Sequence, residues 1–468
     1  MINEQIELFK ATIKGKKIAV LGLGISNLPA IKFLHKFGAV ITARDRTPYD
    51  ELDNDKLEVV KAYCMDFVLG DGYLDNLDGY DIIVKSPGIP PYAGQIESAV
   101  KNGAHLTSEM EIFMTLCPCK IVGVTGSDGK TTTTTVIYEM LKAEGKKVYV
   151  GGNIGSPLLD KVEQMNENDW VVLELSSFQL QTMKISPDIA VITNLSPNHL
   201  DYHKGGMAEY INAKTNIFNY QNENGKLVIN ADNDVTSSFE GKQKGNLMFF
   251  TRRDYNKDIA CSQIKDGKIY CCGEYIMDVS DIRIKGMHNA ENYLAAIAAV
   301  YGIVDPENMR NVARTFGGVR HRMQYVRTVD GIEFYNDSIG SSPSRTIAGL
   351  VAHGGKIVLI AGGYDKKIPF DTLGEAVNRY VSVIVLCGNT SDKIEKAVKD
   401  ADKGKKDIPI IKTDDFESAV KTAFAAAKGI DADGERISVI LSPACASFDM
   451  FKNFEQRGDK FIEIVNSL

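Results

Sequence analysis

Short apolar runs recur along the chain, each bounded by glycine, proline or polar residues, and such runs predict buried strands. Between them, apolar residues follow helical spacing, as over residues 28–37 and 207–218. Buried strands alternating with helices are typical of α/β proteins with parallel sheets. The predicted strands include residues 17–21, 39–43, 66–69, 81–85, 120–124, 147–151, 170–175, 189–195, 227–232, 323–329, 332–335, 357–361, 381–386 and 437–441.

The length of 468 residues predicts about three domains. We expect a Rossmann-like domain over residues 1–108, a central P-loop ATPase-like domain over residues 109–318, and a doubly wound α/β domain over residues 319–468. The net charge of −7 argues against a nucleic-acid partner, because phosphate contacts need clustered cations. The chain has no apolar run long enough to cross a membrane. Its eight cysteines lack zinc-ligand spacing, so we expect free thiols in a reducing cytoplasm.

A glycine-rich stretch follows the predicted strand at residues 120–124. Gly126 and Gly129 allow backbone N–H groups to face an anion, Lys130 can reach the terminal phosphates, and the Thr131 hydroxyl can bind Mg²⁺. Val124 stands where the strict P-loop pattern has its first glycine, so the motif is a variant. The stretch predicts ATP or GTP binding.

A second phosphate-binding turn is predicted near the start of the chain. Gly22 and Gly24 follow the first strand, and Asp45 ends the second strand, as in dinucleotide-binding units. Asn27 replaces the third glycine of that fingerprint, which disfavours NAD and favours another phosphate-bearing nucleotide. The turn at residues 86–90 follows a strand at the same ligand-binding edge.

Two residues of the central region are candidate metal-binding groups. Glu174 ends a buried strand, where a carboxylate can complete a Mg²⁺ shell, and His199 follows the next strand. Composition alone predicts that Lys214, on the helical segment 207–218, is a solvated lysine. Asn289 and Asn292 are three residues apart and should share one helix face.

Several stretches together resemble the Mur ligases of peptidoglycan synthesis, and within them the branch that adds D-glutamate. They are residues 125–131, 152–155, 173–179, 288–292, 321–322 and 441–458. The resemblance implies an ATP-dependent ligase that forms an acyl phosphate on UDP-N-acetylmuramoyl-L-alanine and then an amide with D-glutamate. It further implies a monomer with ATP and Mg²⁺ as cofactors.

The resemblance also implies roles for individual residues. The implied catalytic residues are Lys130, Glu174, His199, Lys214 and Lys366. Metal ligands would be Thr131, Glu174, His199 and a carbamylated Lys214. ATP contacts would come from Gly126, Ser127, Asp128, Gly129, Lys130, Thr131, Thr132, Asn153, Asn289, Asn292, Arg322 and Asp337. The uridine diphosphate group would meet Ile25, Ser26, Asp45, Arg46 and Gly88. D-Glutamate would meet Lys366, Ser447 and Phe454, with Ser177 and Phe448 as further substrate contacts.

Two positions depart from the family pattern. Ile339 stands where the family usually has a lysine, which leaves Arg345 as a candidate replacement cation, and Asn198 stands where an acid commonly precedes the histidine. Three alternatives stay open. They are a Mur ligase with a different amino-acid substrate, a nucleotide-binding regulator without ligase activity, and an NAD-dependent oxidoreductase.

Overall fold

The computed structural model describes residues 4–197, 203–254, 261–284, 286–365, 368–402 and 408–468. The chain forms two compact units, residues 1–315 and 316–468. The first unit contains two sheets and the second contains one.

The first sheet of unit 1 is parallel, with the strand order β3-β2-β1-β4-β5. Its strands are β1 (Lys17–Leu21), β2 (Val40–Asp45), β3 (Asp66–Leu69), β4 (Ile82–Lys85) and β5 (His105–Thr107). The accompanying helices are α1 (Glu4–Ile13), α2 (Asn27–Lys36), α3 (Asn54–Tyr63) and α4 (Gly94–Lys101). The strand order reverses between β1 and β4, and ligands bind α/β sheets at such points.

The second sheet of unit 1 has the order β14-β13-β12-β11-β10-β9-β6-β8-β7. It is parallel from β7 to β12, and β12, β13 and β14 are antiparallel. Its strands are β6 (Lys120–Thr125), β7 (Val148–Gly152), β8 (Trp170–Glu174), β9 (Ile189–Ile192), β10 (Lys226–Asn230), β11 (Asn246–Thr251), β12 (Cys261–Lys265), β13 (Lys268–Cys271) and β14 (Glu274–Asp278). The helices are α5 (Glu109–Leu116), α6 (Lys130–Ala143), α7 (Ser177–Leu180), α8 (Gly206–Asn219), α9 (Asp234–Ser237), α10 (Met287–Val300) and α11 (Pro306–Thr315).

Unit 2 has a sheet with the order β15-β16-β20-β17-β18-β19, in which β15 alone is antiparallel to its neighbour within the described residues. Its strands are β15 (Gln324–Val329), β16 (Ile332–Asn336), β17 (Lys356–Ala361), β18 (Val383–Cys387), β19 (Ile410–Thr413) and β20 (Ile437–Leu441). The helices are α12 (Pro343–His353), α13 (Asp371–Tyr380), α14 (Ser391–Asp402), α15 (Phe416–Lys428) and α16 (Phe454–Ser467).

The central strands are buried on both faces, which is why their sequences are continuous apolar runs. Val122, Val172 and Val191 of neighbouring strands are fully buried, and one apolar core extends through both sheets of unit 1. Among the described residues, no helix has both the length and the apolar composition needed to cross a bilayer.

Candidate active site

The loop between β6 and α6 is shaped by two glycines in the left-handed region. Gly126 has φ = 149° and Gly129 has φ = 79°. A methyl group on Gly126 would lie 1.9 Å from Thr193 Oγ1, and one on Gly129 would lie 2.3 Å from Asn292 Oδ1. Because neither position has room for a side chain, the loop can bring its backbone close to an anion.

Thr193 and Asn194, directly after β9, hold this loop in place. Thr193 Oγ1 donates a hydrogen bond of 2.5 Å to the carbonyl of Asp128, and the N–H of Asp128 donates to Asn194 Oδ1 at 3.0 Å. No role was predicted for either residue. The only sequence feature that could indicate one is their position, as polar residues, at the carboxyl end of a buried strand.

Lys130 begins α6 and folds back over the loop. Its Nζ donates to the carbonyls of Gly126 (2.9 Å) and Ser127 (2.8 Å). The ammonium group therefore lies where a phosphate on the loop would meet it. Thr131 follows it on the first turn of α6 and is half-buried, as is Thr132.

Glu174 lies at the end of β8, in register with Val124 of β6 and Gly152 of β7. Its side chain is only 2% exposed, as the apolar strand predicted. Asn153 Nδ2 donates to Glu174 Oε1 at 2.7 Å, whereas Oε2 is buried and has no hydrogen-bond partner. A buried carboxylate oxygen without a partner is unfavourable unless a cation or donor binds it.

Lys214 is buried, which overturns the expectation from composition of a solvated lysine. Its side chain is 2% exposed, and Nζ donates to Thr125 Oγ1 (3.0 Å) and to the carbonyl of Gly126 (2.9 Å). Burial lowers the pKa of Lys214 well below its ordinary value, the charge of Lys130 lowers it further, and Glu174 acts in the opposite direction. The structure therefore brings Lys130, Glu174 and Lys214 together around one loop, where burial favours the neutral form of the Lys214 amine.

Tyr210 and Ser127 extend this cluster on the α8 side. The hydroxyl of Tyr210 lies 2.9 Å from Ser127 Oγ, and Ser127 Oγ donates to the carbonyl of Ser196. Lys214 Nζ lies 4.9 Å from the centre of the Tyr210 ring. Asp128, another loop residue predicted to contact ATP, has an exposed side chain.

Asn289 and Asn292 share one face of α10, as predicted. Asn292 Nδ2 donates to Asn289 Oδ1 at 3.3 Å, and Thr133 of α6 donates to Asn292 Oδ1 at 3.3 Å. These bonds bring the α10 amides to the start of α6. Ser177, a predicted substrate contact, lies with its hydroxyl oxygen 3.1 Å from Nε2 of the buried His203.

The predicted sites of His199 and Lys366 lie outside the described residues. Within the described ranges, no cluster of three or more His, Cys, Asp or Glu side chains could hold a metal ion. The donors still fit Mg²⁺, because the unpartnered Glu174 oxygen and the Thr131 hydroxyl, on the first turn of α6, are hard oxygen ligands. The cation's remaining ligands would be phosphate oxygens and water.

The first sheet gathers its predicted binding residues at the carboxyl edge of β1, β2 and β4. Asp45 accepts hydrogen bonds from the N–H groups of Leu23 (2.6 Å) and Thr47 (2.8 Å). Burial raises the pKa of Asp45, but these bonds outweigh burial and the net shift is downward, so its carboxylate is charged. Asn27, in the position of the missing glycine, donates to Ser86 Oγ at 3.0 Å and so connects the turns after β1 and β4.

The other predicted residues of that edge are open to solvent. Ile25 is 82% exposed, and Arg46 and Gly88 are also exposed. Ser26 precedes α2 and makes no side-chain cap to that helix. These groups are accessible to a ligand, and the hydrogen bonds of Asp45 and Asn27 support the turns that carry them.

Asp337 of unit 2 is buried directly after β16. It accepts hydrogen bonds from the Ser442 hydroxyl (2.6 Å) and the N–H of Met323 (3.2 Å). Burial raises the pKa of Asp337 to about 6, although these bonds and the charges of Arg322 and Arg345 act to lower it. The side chain of Arg322 is exposed.

Arg457 joins the turns that carry the predicted D-glutamate residues. Its guanidinium is fully buried and donates to Ser338 Oγ, to the carbonyls of Ser338 and Cys445, and to Ala446 O at 3.1 Å. Arg457 lies in the stretch 441–458 that resembles the family, but no role was predicted for it. The turn that it holds continues directly into Ser447, which is buried, and Phe448, which is 64% exposed. Phe454 begins α16 and packs edge-on against His321, with ring centres 6.0 Å apart.

The sequence matches family descriptions along most of its length. They are the N-terminal domain of Mur ligases of the MurD-like kind (residues 16–108), the Mur ligase middle domain (residues 124–300) and the glutamate ligase domain of Mur ligases (residues 321–444). The architecture therefore comprises three Mur ligase domains, the first two of which lie in unit 1.

Individual relatives agree with these matches. A UDP-N-acetylmuramoylalanine–D-glutamate ligase of Acetivibrio thermocellus is 52% identical, with 100% of both chains covered. The ligase of the same name from Clostridium acetobutylicum is 49% identical, with 98% of both chains covered. Among solved structures, the UDP-N-acetylmuramate-alanine ligase of Thermotoga maritima has the same fold, with a TM-score of 0.53, 17% identity, and coverage of 97% of this chain and 99% of that one. With relatives this similar over the whole length, the chain belongs to the Mur ligase family.

Proposed function

We propose that the protein is an ATP-dependent ligase that joins D-glutamate to UDP-N-acetylmuramoyl-L-alanine. The observation that carries the proposal is the gathering of Lys130, Glu174 and Lys214 around the phosphate loop, in a chain of this family. The names of relatives that are about half identical over their whole length support the choice of substrates. The domain limits predicted at 108 and 318, a monomeric state and work in the cytoplasm belong to the same proposal.

The reaction has two steps. The carboxylate of the muramoyl-alanine attacks the γ-phosphorus of ATP, forming an acyl phosphate and releasing ADP. The amine of D-glutamate then attacks the acyl carbon and loses a proton, and the tetrahedral intermediate expels phosphate to give the amide. Charge stays on phosphoryl oxygens throughout the first step, so positioning and cations dominate the catalysis.

Each group near the loop has a chemical task in the first step. When ATP binds, the Lys130 ammonium leaves the carbonyls of Gly126 and Ser127 and donates to the transferring phosphoryl group. The backbone of residues 126–129 binds the phosphates of ATP. Glu174 and Thr131 would hold Mg²⁺, which would supply positive charge against the phosphate oxygens. A carbamate on Lys214, together with His199, would provide oxygen and nitrogen ligands for a second such ion.

The remaining residues bind and orient the reactants. Ile25, Ser26, Asp45, Arg46 and Gly88 contact the uridine diphosphate group at the edge of the first sheet. Asn153, Asn289, Asn292, Arg322 and Asp337 contact ATP. Lys366, Ser447 and Phe454 contact D-glutamate, with the lysine ammonium and the serine hydroxyl paired to its carboxylates.

Phosphate release from ATP tests the proposal directly. We expect release only when UDP-N-acetylmuramoyl-L-alanine and D-glutamate are both present, and no comparable release with L-glutamate or L-lysine. A requirement for another amino acid would retain the ATP chemistry and refute the D-glutamate assignment. ATP turnover that does not depend on the UDP-linked substrate would refute the ligase proposal and favour a nucleotide-binding regulator.

Lys130→Ala tests the division of tasks within unit 1. We expect it to abolish phosphate release while leaving the affinity for the UDP-linked substrate within about threefold, because the predicted uridine diphosphate residues are on the other sheet. Calorimetric titration of the UDP-linked substrate measures that affinity. An equal loss of activity and of substrate affinity would contradict the assignment of the two sites.

A further inference from the structure

The first turn of α12 carries an arginine beside the buried carboxylate of Asp337. Thr346 anchors this turn, because its hydroxyl donates to the carbonyl of Ser442 at 3.3 Å and lies 2.9 Å from Ser442 Oγ. Ser442 Oγ in turn donates to Asp337 Oδ2. The helix start is therefore fixed to the carboxyl ends of β16 and β20.

The register of α12 shows which way Arg345 faces. A methyl group on Gly349 would lie 3.7 Å from Asp337 Oδ2, so Gly349 is on the helix face nearest that carboxylate. Arg345 is four residues earlier and therefore lies on the same face, one turn closer to the helix start. The influence of its charge on Asp337 agrees with this placement.

The side chain of Arg345 is exposed, and within the described ranges its charge acts on Asp337 without forming an ion pair. A cation in the first turn opposes the helix dipole, and no acid is present in that turn to compensate. The cations described beside Asp337 are otherwise Arg322 and Arg457, and Arg457 is buried and bonded to backbone carbonyls.

The loop between β16 and α12 provides no cation of its own. Ile339 is half-buried there, and Ile339 N–H donates to the carbonyl of His321. Gly340, the next residue, is packed so closely that a methyl group would lie 2.6 Å from Asp337 Oδ2. Along the chain after β16, Arg345 is therefore the first cation.

We propose that Arg345 contacts an anionic group of the reactants, a phosphate or a carboxylate, at the carboxyl edge of β16. The proposal rests on the proposed ligase function, in which ATP brings phosphate and D-glutamate brings carboxylates. The planar guanidinium can donate two parallel hydrogen bonds to either group. Arg345 is then a substrate-contacting residue that replaces a lysine in the loop.

Kinetics of phosphate release with four variants test the proposal. We expect Arg345→Ala to raise the KM of one reactant about ten- to a hundredfold, as loss of a charged hydrogen bond would. Arg345→Lys should recover part of the loss. Ile339→Lys combined with Arg345→Ala should also recover part, because it returns a cation to the same edge. Arg379→Ala, which removes an exposed arginine from α13, is the matched control.

The identity of the affected reactant distinguishes the two anions. A higher KM for ATP alone indicates the phosphate, and a higher KM for D-glutamate alone indicates a carboxylate. If Arg345→Ala behaves like Arg379→Ala for both reactants, the proposal is wrong. A loss that neither Arg345→Lys nor the double variant reduces, with a lower melting temperature, would show a structural role and also overturn it.

Binding measurements separate this proposal from the proposed function. Titration of a non-hydrolysable ATP analogue, and separately of D-glutamate, into the full-length protein needs no turnover. A wild-type protein that binds these compounds but forms no amide would refute the ligase function, and the contrast between Arg345→Ala and Arg379→Ala would still decide the role of Arg345.

Discussion

Lys214 shows how burial changes the chemistry of a common side chain. Burial favours the neutral amine of Lys214, which has two N–H bonds and one lone pair, and in that form the bonds to Thr125 and Gly126 would use both N–H groups. The lone pair can then attack CO₂, giving a carbamate and a proton. We expect ¹³C-bicarbonate to label the wild-type protein with one carbamate resonance that Lys214→Ala lacks. Ligation should also fall at least a hundredfold in Lys214→Ala. An active Lys214→Ala enzyme without bicarbonate dependence would contradict this role.

Glu109, at the start of α5, gives a prediction about stability and pH. Burial raises its pKa to about 7, the N–H of Leu159 acts to lower it, and the charge of Asp160 raises it. Because the folded state keeps a proton that the unfolded state releases, stability falls as pH rises between about 4.5 and 7. Glu109→Gln cannot ionise, so its stabilising effect should grow by roughly 2 kcal/mol from pH 5 to pH 8. Urea unfolding measures this, with exposed Glu167→Gln as the control. A pH-independent difference would be inconsistent with a buried titrating carboxyl.

At the scale of elements, the conformation of the loop between β6 and α6 depends on its two glycines. Gly126→Ala would place a methyl group 1.9 Å from Thr193 Oγ1 at a φ of 149°. We expect the variant to fold but to bind an ATP analogue at least tenfold more weakly, because the loop must open to relieve the clash. Gly94→Ala, at the start of α4, is the control, since its methyl group would have no neighbouring atom within 4 Å. Unchanged nucleotide affinity in Gly126→Ala would show that the loop does not cradle phosphate.

The elements that sequence alone predicted are those with long apolar runs. β6, β8, β9 and β20 bury both faces, so composition signals them directly. The antiparallel strands β12 to β14 were not predicted, because they are short, mix polar with apolar residues and bury only part of each strand. Lys214 was expected in solvent for a related reason, since its burial depends on contacts with Thr125, which is 89 residues earlier in the chain. Contacts of this kind have no local signature.

At the scale of the whole molecule, the proposed tasks divide between the two units. Unit 1 contains the residues proposed for the uridine diphosphate group and the phosphate loop, and it has its own continuous core. Unit 2 contains Ser447, Phe454 and Arg345, and its sheet carries separate cores on its two faces. Each unit therefore has the buried apolar surface that independent folding requires.

This division predicts the behaviour of a fragment that ends at Thr315. Residues 1–315 should fold, bind the UDP-linked substrate with near-normal affinity, and bind an ATP analogue more weakly than the full chain because it lacks Arg322 and Asp337, which we propose contact ATP. The fragment should form no amide with D-glutamate at any concentration. Circular dichroism, calorimetry and phosphate release measure the three properties, with the full-length protein as the control. Failure to fold would show that unit 1 needs unit 2 for stability, and D-glutamate-dependent phosphate release by the fragment would place the amino-acid site in unit 1.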